Sequence, residues 1–259
     1  VFLMKFIFNL IREKWHPLFY LRKSKVWKEL LNRYDPDTSV RISGVNASIK
    51  LLRDLSLVFP HDGLEQKSIT HFRNVLKQES IEVFFDIGAN IGTYSWNALD
   101  VGIKDIYLFE PDVTNHRLLL KTIFNNRIKN SYLFPFALGR ETELSLFLVD
   151  DVSGATGTLN EQNKPESIQS AYDLSQYRKI PVLNLDAFIN FAIGKKTLLK
   201  IDTEGAEGLI LEGGRSFIKQ VRPYIFLECF DKDELTRFSE INYDIHDLAE
   251  NYNYYLHPK

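Results

Sequence analysis

The sequence predicts an α/β fold: a doubly wound, mostly parallel sheet with helices on both faces, preceded by a basic helical extension. Three observations lead there. Short apolar runs at 82–86, 105–110, 197–201 and 224–227 alternate with segments of helical pattern, as in repeated βα units whose strands are buried on both faces. Each run ends in a carboxylate, Asp86, Glu110, Asp202 or Glu228, and ligands of such sheets sit beyond the strand C-termini. The first run opens into a glycine-punctuated turn, Asp86-Ile87-Gly88-Ala89-Asn90-Ile91-Gly92, and Glu110 follows Gly92 by eighteen residues. That is the layout of a nucleoside-cofactor site, in which the second strand brings a carboxylate to the ribose hydroxyls.

At 259 residues the chain can hold one sizeable α/β domain and a preface. The expected division is an extension over 1–60 and a catalytic domain over 61–259. A hydrophobic content of 44% with 25% charged residues is that of an ordinary globular protein, and a net charge of -2 is not a nucleic-acid footprint. The charge is uneven, because residues 1–28 carry seven Lys/Arg against one acid, Glu13. Cys229 is the only cysteine, which excludes an internal disulfide and a cysteine zinc cage and fits a cytoplasmic, reducing setting. No apolar run reaches the roughly 18–20 residues that span a bilayer.

In chain order, residues 1–34 read as one or two basic helices interrupted near Pro17. Their spacing is not cleanly 3.6-periodic, which favours a cap packed on the domain with solvated lysines. The alternative is peripheral docking of residues 1–30 on an anionic inner membrane surface. Residues 39–59 alternate enough for short strands. Glu65–Lys77 is helical, with Ile69, Phe72, Val75 and Leu76 on one side. The cofactor strand, a helix over about 91–100 and the 105–110 strand follow. Pro111-Asp112 starts a helix through about 125, since proline suits a first turn. Ser131–Leu138 reads as a third strand closed by Gly139, and Leu144–Val149 as a strand added beside the core. Residues 150–180 are polar and long enough to be functional. With Tyr172 and Tyr177 they form the expected acceptor lid. Asp186 opens a helix through about 193, the strands at 197–201 and 224–227 complete the core, and the tail 241–259 is ambiguous. His61, His71, His116 and His246 lack metal-like spacing and read as packing or surface residues.

The turn after the first strand departs from the G-x-G-x-x-G dinucleotide pattern. Gly88 and Gly92 allow close approach of the main chain, and Asn90 tolerates left-handed angles. Asp86 would repel a pyrophosphate but attract a sulfonium or an ammonium, which favours S-adenosylmethionine over NAD. The plainer reading is that Asp86 caps the following helix. The second unusual segment is Leu199-Lys200-Ile201-Asp202-Thr203-Glu204-Gly205-Ala206-Glu207. Lys200 and Asp202, two apart, share one side of a regular strand. Glu204 and Glu207 are expected in the first turn of the next helix, where the dipole favours anions. A carboxylate there can take a proton from a hydroxyl as a methyl group arrives. Asp202 with Glu228 or Glu204 could also supply oxygen ligands to magnesium, but strand-edge carboxylates need no metal to be explained.

These blocks, with Phe109-Glu110-Pro111, Leu183-Asn184-Leu185-Asp186 and Arg222-Pro223-Tyr224-Ile225-Phe226-Leu227-Glu228, resemble the FkbM-type methyltransferases, a branch of the class I S-adenosylmethionine-dependent enzymes. The resemblance runs from about residue 65 to 245. It implies a Rossmann-like, seven-stranded sheet with the last strand antiparallel, and methyl transfer to a hydroxyl of a sugar, glycan or related small molecule. It places Asp86, Gly88, Asn90 and Gly92, with Thr93 beside them, at the methionine part of the cofactor. Glu110 falls at the ribose, and Ala137, within Phe136-Ala137-Leu138, at the adenine. Asp202 would lie near the transferred methyl, with Glu204 or Glu207 as base and Lys200 positioning. The family's final hairpin is poorly matched by 246–259, and the basic preface falls outside the resemblance. Two other functions stay open: an NAD(P)-dependent oxidoreductase, which the absence of a Tyr-x-x-x-Lys pair disfavours, and an inactive cofactor-binding scaffold.

Overall fold

The computed structural model describes residues 33–54, 65–149, 177–230, 232–250 and 252–259, together with Glu29, Gly157 and Leu159. Strands β1 (Asp37–Ile42) and β2 (Val45–Lys50) form an antiparallel hairpin, so the expected extension over 1–60 is not helical throughout. The basic stretch 1–28, its membrane contact and Tyr172 lie outside the described residues.

The chain continues through α1 (Gln66–Gln78), β3 (Val83–Ile87), α2 (Thr93–Asp100), β4 (Asp105–Phe109), α3 (Val113–Asn125) and β5 (Ser131–Phe134). Three strands, β6 (Ala137–Gly139), β7 (Glu143–Leu148) and β8 (Tyr177–Asn184), then form a separate small sheet in the order β6-β8-β7. The expected single strand over 131–138 is thus split, and Pro135, which has no N–H for a ladder, lies at the break. Residues 181–184 belong to β8. Pro181 is tolerated there because β6 pairs only with Val182–Asn184. The helix expected from Asp186 to 193 is a 3-10 turn (Leu185–Phe188) running into α4 (Ile189–Ala192). The chain ends with β9 (Thr197–Ile201), α5 (Glu207–Gly213), α6 (Arg215–Val221), β10 (Tyr224–Glu228), α7 (Lys232–Glu240), β11 (Tyr243–Asp247) and β12 (Asn253–Pro258).

The main sheet has seven strands in the order β11-β12-β10-β9-β3-β4-β5. β3, β4, β5, β9 and β10 pair in parallel, and β12 runs antiparallel to both β10 and β11. The seven-stranded, mostly parallel sheet with its last strand antiparallel is therefore present. Every residue of β3 and β9 is buried, and their side chains divide between two cores. Phe84 joins Phe72, Trp96, Leu198 and Phe226 on one face, while Phe85 joins Tyr107, Leu199, Phe217 and Ile225 on the other. Full burial of each such side chain contributes on the order of 1.5–3 kcal/mol, which is why continuous apolar runs rather than alternating ones specify these strands.

The final hairpin, β11 and β12, is well formed, against the poor match expected of 246–259. Its pattern is hard to see because tyrosine and asparagine carry it: Asn253 and Leu256 are fully buried, and Tyr254 and Tyr255 nearly so. Arg222 fastens it, donating to the carbonyls of Ile241 and Asn242 at 3.0 and 2.9 Å and lying 4.6 Å over the Tyr243 ring.

Candidate active site

The C-terminal ends of β3, β4, β9 and β10 open onto one cavity of about 270 Å³. Asp86, Glu110, Asp202 and Glu228 all line it, together with Gly88, Asn90, Thr93, Ala137, Lys200 and Glu204. Carboxylates from four separate strands thus converge because parallel strands deliver their ends to one rim. Gly92 and Glu207 are not among the lining residues. Gly157 and Leu159, within the polar 150–180 stretch, are, whereas Tyr177 is paired inside β8.

The two glycines are explained by neighbours within the protein rather than by a ligand. Gly88 has a φ of +82°, and a Cβ there would lie 1.9 Å from the Asp202 carbonyl oxygen. Gly92, at φ +83°, meets the Trp96 indole, whose Nε1–H donates to the Ile91 carbonyl at 2.8 Å. Asp86 does anchor the following helix: Oδ2 accepts from Ser95 N at 3.1 Å and Ser95 Oγ at 2.6 Å. It is nevertheless a wall of the cavity, and burial pushes its carboxyl up to about 7. Glu110 accepts from Asn90 N at 2.7 Å and Asp112 N at 2.8 Å, and burial pushes it up to about 8.

At the other end stands a polar cluster built on Lys200, a fully buried lysine. Its Nζ lies 3.5 Å from Asp202 Oδ2, donates to Asn253 Oδ1 at 3.2 Å and sits 4.9 Å over the Tyr94 ring. Glu65, before α1, accepts from Tyr94 Oη at 2.6 Å and from Asn253 Nδ2 at 3.4 Å. Burial alone would lower the Lys200 ammonium, but Asp202, Glu65, Glu228 and Asp86 outweigh it and hold the proton on. Glu228 is pushed up to about 10 by burial and by the Asp202 charge, and it is hydrogen-bonded to Asp202.

The loop after β9 differs from expectation in one respect. Glu204 precedes α5 and holds a left-handed φ of 55°, so it is not in the first helical turn. Strain of this kind in a non-glycine residue at a cavity rim costs about 1–3 kcal/mol and commonly marks a functional turn. Glu207 does open α5, but its Oε1 accepts from Thr203 N, Thr203 Oγ1 and Gly205 N at 3.0–3.2 Å. Its carboxylate is engaged in shaping the loop.

The family model described as "Methyltransferase FkbM domain" matches residues 86–255, more than half of the chain. The chain belongs to the FkbM methyltransferase family. Among solved structures it is similar to the methyltransferase FkbM from Methylobacillus flagellatus KT, with 18% identity, a TM-score of 0.48, and coverage of 68% of this chain and 43% of that one. It is also similar to precorrin-6y C5,15-methyltransferase from Geobacter metallireducens GS-15, at 13% identity and a TM-score of 0.39, covering 76% and 89%. A rRNA methylase from Streptococcus thermophilus matches at 10% identity and a TM-score of 0.41, covering 74% and 95%. The chain thus spans less than half the length of the FkbM structure. No curated protein matches it.

FkbM methyltransferases use S-adenosylmethionine, and this cavity fits it. Asn90 Oδ1 is buried with no hydrogen-bond donor among the described residues, a vacancy suited to an ammonium or hydroxyl group. Glu110, with each oxygen already holding one backbone N–H, keeps lone pairs for two ribose hydroxyls. The acids around Lys200 suit a cationic centre. Ala137 and Leu138 line the expected adenine end, whereas Phe136 packs on Phe109, Phe134 and Phe188 in the core. Sequence patterns missed Glu65, Tyr94 and Asn253 as members of the site. Tyr94 directly follows Thr93, Glu65 reads only as the start of a helix, and Asn253 falls in the ambiguous tail. Among the described residues, no group of three or more His, Cys, Asp or Glu is arranged to hold a metal ion.

Proposed function

We propose that the protein O-methylates a hydroxyl group of a sugar, glycan or related small molecule. The observation that carries this reading is the Asp202–Glu228 carboxyl pair beside the buried ammonium of Lys200 at the cavity end. When bound, S-adenosylmethionine supplies an electrophilic methyl group. An alcohol that accepts it must lose a proton, and Asp202, half-buried at the rim, is the favoured recipient. Lys200, pinned by Asn253 and the Tyr94 ring, fixes that carboxylate. Glu204 on the same rim is the second candidate base, and Glu207 holds their shared loop. Alignment of acceptor oxygen and methyl group supplies much of the acceleration, up to about 7–11 kcal/mol for well-oriented reactants.

Membership of the FkbM family displaces the nicotinamide-dependent alternative. An inactive scaffold would leave a buried lysine, pinned among carboxyl groups at the cavity, without purpose. The test is incubation with isotopically methyl-labelled S-adenosylmethionine and a panel of glycosides, nucleotide sugars, amines and RNA. The expected product is an O-methyl ether, and its formation should fall by about 10²-fold or more in Asp202→Asn. Label transferred only to nitrogen or to RNA would overturn the reading.

A further inference from the structure

We propose that Arg53, which precedes the family match, is a positioning residue for the adenosyl end of the cavity: it fixes Asp112 and Asn115, and through them the carboxylate of Glu110. The inference rests on assigning Glu110 to the cofactor ribose. Arg53 does not line the cavity, but its targets do. Its Nη2 donates to Asn115 Oδ1 at 2.5 Å and its Nη1 lies 3.9 Å from Asp112 Oδ1. Asp112 in turn caps α3, accepting from Thr114 N and Asn115 N, and gives its own N–H to Glu110. A guanidinium, two links and a ribose-binding carboxylate therefore form one chain of contacts.

The supporting structure behind Arg53 is equally specific. Its backbone N–H and that of Leu52 donate to the Asp35 carboxylate at 3.0 and 2.7 Å. Its Nε donates to Asp54, which is fully buried and also accepts from Lys50 N. The β1–β2 hairpin is itself clamped along α3, through Ser48 N to Thr122 Oγ1 and Arg117 to Asp37. A buried ionic network of this kind is no more stabilising than apolar packing of equal volume. Stability alone does not account for it, whereas geometry at the cavity does. The charged and titratable groups facing Glu110 are Asp112, which raises its carboxyl, Arg53, which lowers it, and His116, whose ring lies by the Glu110 main chain. Arg53 thus favours the ionised form that accepts hydroxyl donors.

The test is calorimetric titration of S-adenosylmethionine and S-adenosylhomocysteine against pH, on the full chain. Three forms are compared: the parent protein, Arg53→Lys, and the charge-balanced double variant Arg53→Met/Asp54→Asn. The double variant should bind about tenfold or more weakly, with the pH at which binding is half-maximal moved upward. Arg53→Lys keeps the charge but not the planar fork, so it should weaken binding without moving that midpoint. A folded double variant with parent affinity and midpoint would overturn the proposal. Should the double variant unfold, Arg53→Lys decides alone, and parent affinity in it is the contrary result. Glu110→Gln separates the underlying assignment: parent-like binding there would remove Glu110 from the ribose, whatever Arg53 does.

Discussion

Gly88 sits where two loops nearly touch, its φ of +82° and the 1.9 Å approach of a notional Cβ to the Asp202 carbonyl leaving no room for a side chain. Replacing it by alanine sets a left-handed backbone, costing about 1–2 kcal/mol, on top of a clash with main chain that cannot rotate away. Gly88→Ala is expected to lower the urea midpoint and to weaken cofactor binding, since relief requires Asp202 to move. Unchanged affinity in calorimetry would show the two loops to be independent. Lys200 is the complementary case, a cation whose removal strands acids. Lys200→Met should destabilise by about 3–5 kcal/mol, the cost of leaving buried charges unpaired, measurable by denaturant unfolding. A loss under 1 kcal/mol, roughly that of an exposed ion pair, would mean the surrounding carboxyls are already neutral.

At the scale of elements, β12 is the strand on which most depends. It lies between β10 and β11, pairs with both, and brings Asn253 to Lys200. A chain ending at Asp247 should lose its cooperative thermal transition, because the β10 edge and the buried Leu256 site would both be left open. A sharp transition in circular dichroism would contradict this. The same strand shows what the sequence could and could not reveal. β3, β4, β9 and β10 were legible because strands buried on both faces must be apolar throughout, and their terminal acids stood out against that background. β12 was not, since tyrosines with polar tips fill its buried positions. The break at Pro135 was not legible, because whether a strand tolerates proline depends on which neighbours pair with it. Glu65 and Asn253 join the site from distant positions, Glu65 being 188 residues from the amide it meets. No local pattern encodes such a meeting.

For the molecule as a whole, the converging acids make stability depend on pH. Asp86 and Glu110 are pushed up to about 7 and about 8, from ordinary values of 3.8 and 4.5, by burial. Above neutrality the unfolded chain has released both protons while the folded one still binds part of them, so stability falls as pH rises through this window. His71 and His116, lowered by burial, act oppositely but only below the ordinary histidine range. Unfolding without cofactor should therefore need less urea at pH about 9 than at pH about 7, and saturating S-adenosylhomocysteine should narrow the difference by favouring ionised Glu110. Stability unchanged over that interval would place these carboxyls in solvent. The position of β12 has one more consequence, during synthesis. A nascent polypeptide still on the ribosome can assemble the early βα units but has neither Asn253 nor a partner for the β10 edge until residues up to 258 have emerged. Assembly of the polar cluster around Lys200 is thereby tied to emergence of β12, so products that stop before it are left without Asn253 at the cavity.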